Sequence, residues 1–306
     1  MQITDTLLMV RPVSFRANEE TAATNFFQSN NTKTDPRSIQ QAALKEFDNM
    51  VDLLRQNGIN VLVIDDTPTP VKPSAAFPNN WLSTSPEGII SVFPIYAPNR
   101  RPEKRDDILK ILAEKFIVKD LQDWSEFEAE GKFLEGTGSM VIDHENKVIY
   151  TCYSPRTDIS ILEKFANANN YRAIIFLAID NNGQPVYHTN VMMMLGEDFA
   201  ILCEEAIEEE WELIAVRQLL ESSGHEVIRI SKEQMHAFAG NMLQVKNNKG
   251  EKFLVMSQTA FDSLNDEQKE ELSARNTLLP IPIQIIEQTE GGSVRCMIAE
   301  IFLEKK

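Results

Sequence analysis

The chain has 306 residues, 42% hydrophobic and 25% charged, a globular composition with room for one large domain or two small ones. Asp and Glu number 46 against 30 Lys and Arg; the net charge of −16 disfavours nucleic acid and anionic membrane as partners, since both need a basic surface. Three widely spaced cysteines, no CxxC or HExxH motif, no basic-then-apolar leader and no apolar run long enough to span a bilayer suggest a cytoplasmic protein with neither a disulfide framework nor a dedicated zinc site.

In chain order, an apolar run from Leu7 to Arg11 comes first, and a stiff loop from Thr67 to Pro73 follows later. From there a pattern recurs: a polar turn, a short apolar strand, a second turn and another strand. The first copy is Phe77-Pro78-Asn79-Asn80 with Trp81 to Thr84, a turn at Pro86-Glu87-Gly88, then Ile89 to Ile95. The second is Glu135-Gly136-Thr137-Gly138 with Ser139 to Asp143 and Lys147 to Tyr153. The third is Tyr187-His188-Thr189-Asn190 with Val191 to Leu195 and Phe199 to Cys203. Phe238-Ala239-Gly240-Asn241 opens the fourth, with Met242 to Val245 and Lys252 to Ser257. The fifth begins at Gly291-Gly292-Ser293-Val294-Arg295-Cys296 and enters Met297 to Ile301; its partner strand is expected to be the N-terminal run.

With Asn80, Ser139, Asn190, Asn241 and Cys296 aligned, the intervals are 59, 51, 51 and 55 residues. Helix is expected at Ser160 to Asn169, Glu205 to Ser222 and Leu264 to Arg275, where apolar residues recur every three or four positions. Strands are expected at Tyr171 to Ile179, Glu226 to Ile230 and Leu279 to Ile286. This pattern predicts a single α/β domain over residues 1–306: five strand–helix units around an axis, a propeller closed by pairing the two chain ends. The competing architecture is a doubly wound α/β domain whose hairpins happen to be periodic. In a ring, aligned positions share one end of the axis, so Glu135, His188 and Cys296 would converge on one mouth.

That trio has a chemical logic. A cysteine attacks as thiolate, a histidine can hold it in that form or protonate a leaving group, and a carboxylate on the other ring nitrogen orients the imidazole. The segments Leu134 to Ser139, Tyr187 to Asn190 and Gly291 to Met297 resemble three signature stretches of the guanidine-modifying (pentein) superfamily of arginine deiminases, dimethylarginine dimethylaminohydrolases and glycine amidinotransferases. Phe77-Pro78-Asn79-Asn80-Trp81 and Ser154-Pro155-Arg156-Thr157 resemble two more, so the likeness spans nearly the whole chain. It implies a five-fold α/β propeller, with Cys296 as nucleophile, His188 as general acid/base and Glu135 as its orienting carboxylate. Arg156 is the implied grip on a substrate carboxylate, with Arg295 its rival. No cofactor or metal is implied, and the expected partner is a small arginine- or citrulline-like amino acid.

The chain departs from the arginine-processing pattern at Asn80 and Asn190, where those members carry aspartates, and at Ser139, where an acid is common. A buried guanidinium without counter-charge is costly, whereas an amide offers both a donor and an acceptor to a neutral ureido group. Asn79, Asn80 and Asn190 are therefore expected to bind a neutral substrate, citrulline first, as in the citrulline-hydrolysing branch. The products would be ornithine, ammonia and carbon dioxide. A deiminase, dimethylarginine hydrolase or amidinotransferase acting on a guanidinium is the alternative, with Asp158 available to fold inward; a non-catalytic binding propeller is the third. Cys152 and Cys203 are expected in the core, Asn241 as a structural turn amide, and the acidic helix around Glu208 with Ile207, Trp211 and Ile214 facing inward. Pro98 to Lys104 is a candidate lid.

Overall fold

The computed structural model describes residues 1–28 and 35–306. Its first strand, β1 (Thr6–Arg11), is an apolar run buried over its first five residues, as expected of a strand covered on both faces. It is followed by β2 (Asn60–Asp65), β3 (Leu82–Thr84), β4 (Ile89–Val92) and β5 (Asp120–Asp123). Then come β6 (Val141–Asp143), β7 (Val148–Cys152), β8 (Arg172–Phe176), β9 (Met193–Leu195) and β10 (Phe199–Leu202). The last five are β11 (Glu226–Arg229), β12 (Leu243–Lys246), β13 (Lys252–Ser257), β14 (Thr277–Ile281) and β15 (Ala299–Glu300).

These strands form five three-stranded sheets, and each repeats one plan. A short inner strand pairs antiparallel with a middle strand through a hairpin, as β3 does with β4 and β6 with β7. The middle strand then pairs in parallel with an outer one, as β4 with β5 and β7 with β8. Parallel pairing requires a crossover, and a helix supplies it. Asp106–Lys115, Ile159–Ala168 and Glu210–Ser222 make the crossovers in three sheets. In the β13–β14 unit Gln258–Ser263 and Asp266–Ser273 share the task.

The fifth sheet decides the architecture. Its middle strand is β1, its outer strand β2, and its inner strand is β15 from the far end of the chain, with Leu7 opposite Glu300 and Leu8 opposite Ala299. The ring therefore closes by pairing β1 with β15 as expected, and the doubly wound alternative falls because the described residues form five three-stranded sheets rather than one large parallel one. The chain is a five-fold pseudosymmetric α/β propeller.

Local chemistry fixes the helix boundaries. Asp35 caps Pro36–Gln56, with proline in its first turn, and buries Phe47, Met50, Val51 and Leu54. Full burial of each such side chain contributes about 1.5–3 kcal/mol. Asp158 caps Ile159–Ala168 by accepting from the Ser160 and Ile161 amides, so it does not fold inward toward a substrate.

Three expectations need correction. The strand expected from Leu279 to Ile286 stops at Ile281, and Gln284–Glu290 is helix. The helix expected from Glu205 begins at Glu210, after a separate 3-10 turn at Glu204–Ala206. Ile207 therefore lies outside the helix, whose inward face is carried by Val216 and Leu220, whereas Trp211 and Ile214 are 65% and 46% exposed. Among the described residues no helix is long and apolar enough to cross a membrane.

Candidate active site

Five tight turns precede the inner strands and ring the axis: Pro78–Asn80, Gly136–Ser139, Thr189–Val191, the turn through Phe238 to Asn241, and Val294–Met297. They deliver the aligned residues to one end of the propeller, and hydrogen bonds join them. The Asn241 side-chain amide donates to the Asn190 carbonyl at 2.7 Å, and the Arg295 amide donates to Asn241 Oδ1 at 3.1 Å. Two glycines make the approach possible. Gly136 has φ +45°, and a Cβ there would lie 2.3 Å from the Asn79 carbonyl oxygen. A Cβ on Gly138 would meet Asn80 Nδ2 at 2.6 Å and His188 Nδ1 at 2.9 Å.

Glu135 and His188, 53 residues apart, are joined by a 2.7 Å bond between Oε2 and Nε2, both side chains buried. Burial alone would raise the Glu135 pKa, but Arg156 and then His188 outweigh it and hold the carboxyl well below its usual range. Glu135 is thus a carboxylate, and the His188 Nε2 proton points at it. Burial pushes His188 down to about 4 against the pull of Glu135, so the free site holds a neutral imidazole. Its remaining nitrogen, Nδ1, is then an acceptor. Ser139 Oγ accepts from the Glu135 amide and donates to the Arg156 carbonyl, locking the Glu135 turn against the next hairpin. A serine at this departure from the arginine-processing pattern is therefore structural.

Cys296 is buried in the fifth turn, with amides around its sulfur. Asn241 Nδ2 lies 3.3 Å from Sγ and Asn190 Nδ2 3.6 Å away. A small cavity is lined by Cys296, His188, Asn80, Arg100, Arg156 and Glu290, with Tyr187 in its wall. The Arg156 guanidinium stacks 4.8 Å over the Tyr187 ring, lies 3.4 Å from Glu135 Oε2 and donates to Thr24 Oγ1 and the Thr21 carbonyl.

Most of the residues singled out in the sequence meet here. Cys296, His188, Asn80 and Arg156 line one cavity; Glu135 backs His188, and Asn190 touches the sulfur. Asn79 sits one layer behind, its Oδ1 accepting from Asn80 Nδ2. Arg295 does not join them. Its guanidinium donates to the Ile298 carbonyl and Glu300 and lines a separate cavity, because consecutive residues of the 3-10 turn project to different sides. The guanidinium that lines the cavity with Arg156 is instead Arg100, from the segment expected to be a lid. Arg100 is buried in the 3-10 segment Pro98–Glu103, donating to Asn80 Oδ1 at 2.8 Å and paired with Glu103. Its signal was faint: two adjacent arginines in a proline-flanked loop, only one of them buried. Asn241, expected to be a turn amide, is that and also a neighbour of the sulfur. Glu290 went unnoticed because nothing in the sequence distinguishes it from the other acids near the chain end.

The fold and this set of side chains define a pentein-type enzyme. A family model described as eukaryotic N,N dimethylarginine dimethylhydrolase matches residues 11–303, and the chain belongs to this family of hydrolases of the pentein (amidinotransferase) superfamily, which act on non-peptide C–N bonds. Among solved structures, the substrate-bound N-terminal domain of ArgZ, an arginine dihydrolase from cyanobacteria, is 14% identical with a TM-score of 0.74, over 98% of both chains. The chain spans 40% of full-length ArgZ, at the same TM-score. A dimethylarginine dimethylaminohydrolase adduct with S-methyl-L-thiocitrulline is 11% identical with a TM-score of 0.66, over 98% of this chain and 100% of that one. No curated protein matches the chain.

Proposed function

We propose that residues 1–306 act as one catalytic domain, a cysteine-dependent hydrolase that cleaves a C–N bond at the amidino end of an arginine-like α-amino acid. The observation that carries it is the shared cavity of Cys296 and His188, with Glu135 holding His188 in the tautomer whose Nδ1 is an acceptor. His188 takes the thiol proton; the sulfur attacks the central carbon and His188 returns the proton to the departing nitrogen. Water then gives a proton to His188 and attacks the adduct, the C–S bond breaks and the thiol is restored. The Asn190 and Asn241 amides stabilise the sulfur anion by donating to it. Arg100 and Arg156 suit the substrate α-carboxylate, for which a planar fork is well shaped.

A guanidino substrate stands first because of the family and the named activities of the structural neighbours. It needs no further counter-charge at the reacting end, since its cation favours the Cys296 thiolate and pairs with it. Citrulline is the second reading, and one observation favours it: the side chains touching the sulfur are amides, with Asn80 beyond them. The test is separate incubation with arginine, dimethylarginine, agmatine and citrulline beside a Cys296→Ala control. Citrulline formed from arginine or dimethylarginine supports the first reading; ornithine formed from citrulline alone supports the second. Failure to turn over any of them, with Cys296 alkylated no faster than Cys152 or Cys203, would reject both. Burial pushes those two thiols up to about 12.

A further inference from the structure

The cavity wall holds one carboxyl, among the described residues, that the proposed chemistry leaves without a task. Glu290 ends the helix Gln284–Glu290, is 4% exposed and lines the cavity beside Arg100 and Arg156. Its two oxygens are in different situations. Oε2 accepts from the Ser74 hydroxyl at 2.7 Å, whereas Oε1 has no partner among the described residues. The side chain is fixed from behind: Asn25 Nδ2 donates to the Glu290 carbonyl at 2.8 Å, and Ser74 Oγ also accepts from Asn18. A buried acceptor left unsatisfied in a cavity costs folding stability and marks a place where a ligand donor belongs.

We propose that Glu290 Oε1 is the acceptor for the α-ammonium group of the substrate, making Glu290 the residue that selects α-amino acids over their des-amino counterparts. This rests on the reading that the substrate is an α-amino acid. The ammonium is carried on the same carbon as the carboxylate, so whatever binds it must stand next to the arginines that bind the carboxylate. Glu290 meets that requirement: both guanidiniums line the same cavity and pull its pKa downward. The rest of that wall offers Thr21, Asn25 and Tyr187, none of which carries negative charge opposite a cation. The pairing would also relieve the carboxyl, whose pKa burial pushes up to about 8.

The experiment measures kcat/KM for the preferred amino acid and for its des-amino analogue (5-guanidinopentanoate for arginine, 5-ureidopentanoate for citrulline). It compares wild type, Glu290→Gln and Ser74→Ala. Wild type should prefer the amino acid by about 100-fold. Glu290→Gln should cut that preference to less than about 5-fold, through KM rather than kcat, with the loss in kcat/KM falling chiefly on the amino acid. Ser74→Ala, which loosens the carboxyl without removing it, should lower the preference partway; this arm carries the test if Glu290→Gln fails to fold. A preference unchanged in the variants, or equal losses for both compounds, would overturn the assignment while leaving the hydrolase reading intact. No turnover by wild type would remove that reading and this assignment with it.

Discussion

Two glutamates bound the same end of the propeller, and their surroundings drive them in opposite directions. Glu135, in the second turn, is met by Arg156 and His188 and stays ionised despite full burial. Glu290, leading into the fifth turn, is met by a serine hydroxyl, with Arg100 and Arg156 outweighed by burial, and is pushed up to about 8. Burial alone therefore does not decide the charge of a carboxyl; what decides it is whether a cation is committed to it or shared with something else. Arg100 is committed to Glu103 and Asn80, which leaves Glu290 the weaker claim. One carboxyl is paired with the imidazole, and the other lines the cavity with one oxygen unpartnered among the described residues.

The strongest way to break this contrast is Glu135→Gln. It removes the charge that sets the His188 tautomer, and kcat should drop by about 10³–10⁴-fold with KM little changed. It also leaves Arg156 with an uncompensated buried charge, and loss of one partner of such a pair costs about 3–5 kcal/mol, visible as a lowered Tm. A kcat within tenfold of wild type would show that Glu135 does not orient the imidazole.

A smaller effect separates the two arginines. Arg156→Lys and Arg100→Lys each keep the charge and lose the fork, so each should raise KM about tenfold. Only Arg156→Lys should also lower kcat, because Arg156 alone of the two is bonded to Glu135. Equal kcat in the two variants would refute that division.

The smallest effect concerns stability against pH. Glu290 binds its proton more tightly folded, at about 8, than unfolded, near 4.5, so it contributes stability below 4.5 that is lost as pH rises to about 8. The charged groups facing it are Arg100, Glu103 and Arg156, with Tyr187, His188 and Cys296 across the cavity. Glu290→Gln should remove this slope, so its Tm relative to wild type should rise by a few degrees between pH 5 and pH 8. A constant difference across that range would show that Glu290 is already ionised.

Much of this architecture could be read from the residues. The repeat of polar turn and hairpin marked all five units because each must place the same two strands against one axis, and a period that long survives local sequence drift. Cys296, His188 and Glu135 were found because they occupy equivalent turns. What escaped lay off that repeat. Arg100 and Glu290 sit in the connections between units, where no periodicity constrains them. Arg295 lies apart from the other candidates because adjacency along the chain says nothing of which side a 3-10 turn presents. Trp211 and Ile214 are exposed because Ile207, buried ahead of the helix, does not share its face, and the inward stripe runs instead through Val216 and Leu220.

The pairing of β15 with β1 ties the clasp of the ring to the site. Cys296 lies four residues before Glu300, the residue opposite Leu7, so the turn that carries the sulfur hangs directly from the strand that closes the circle. Whatever loosens that seam would also shift the thiol relative to the imidazole on the third turn.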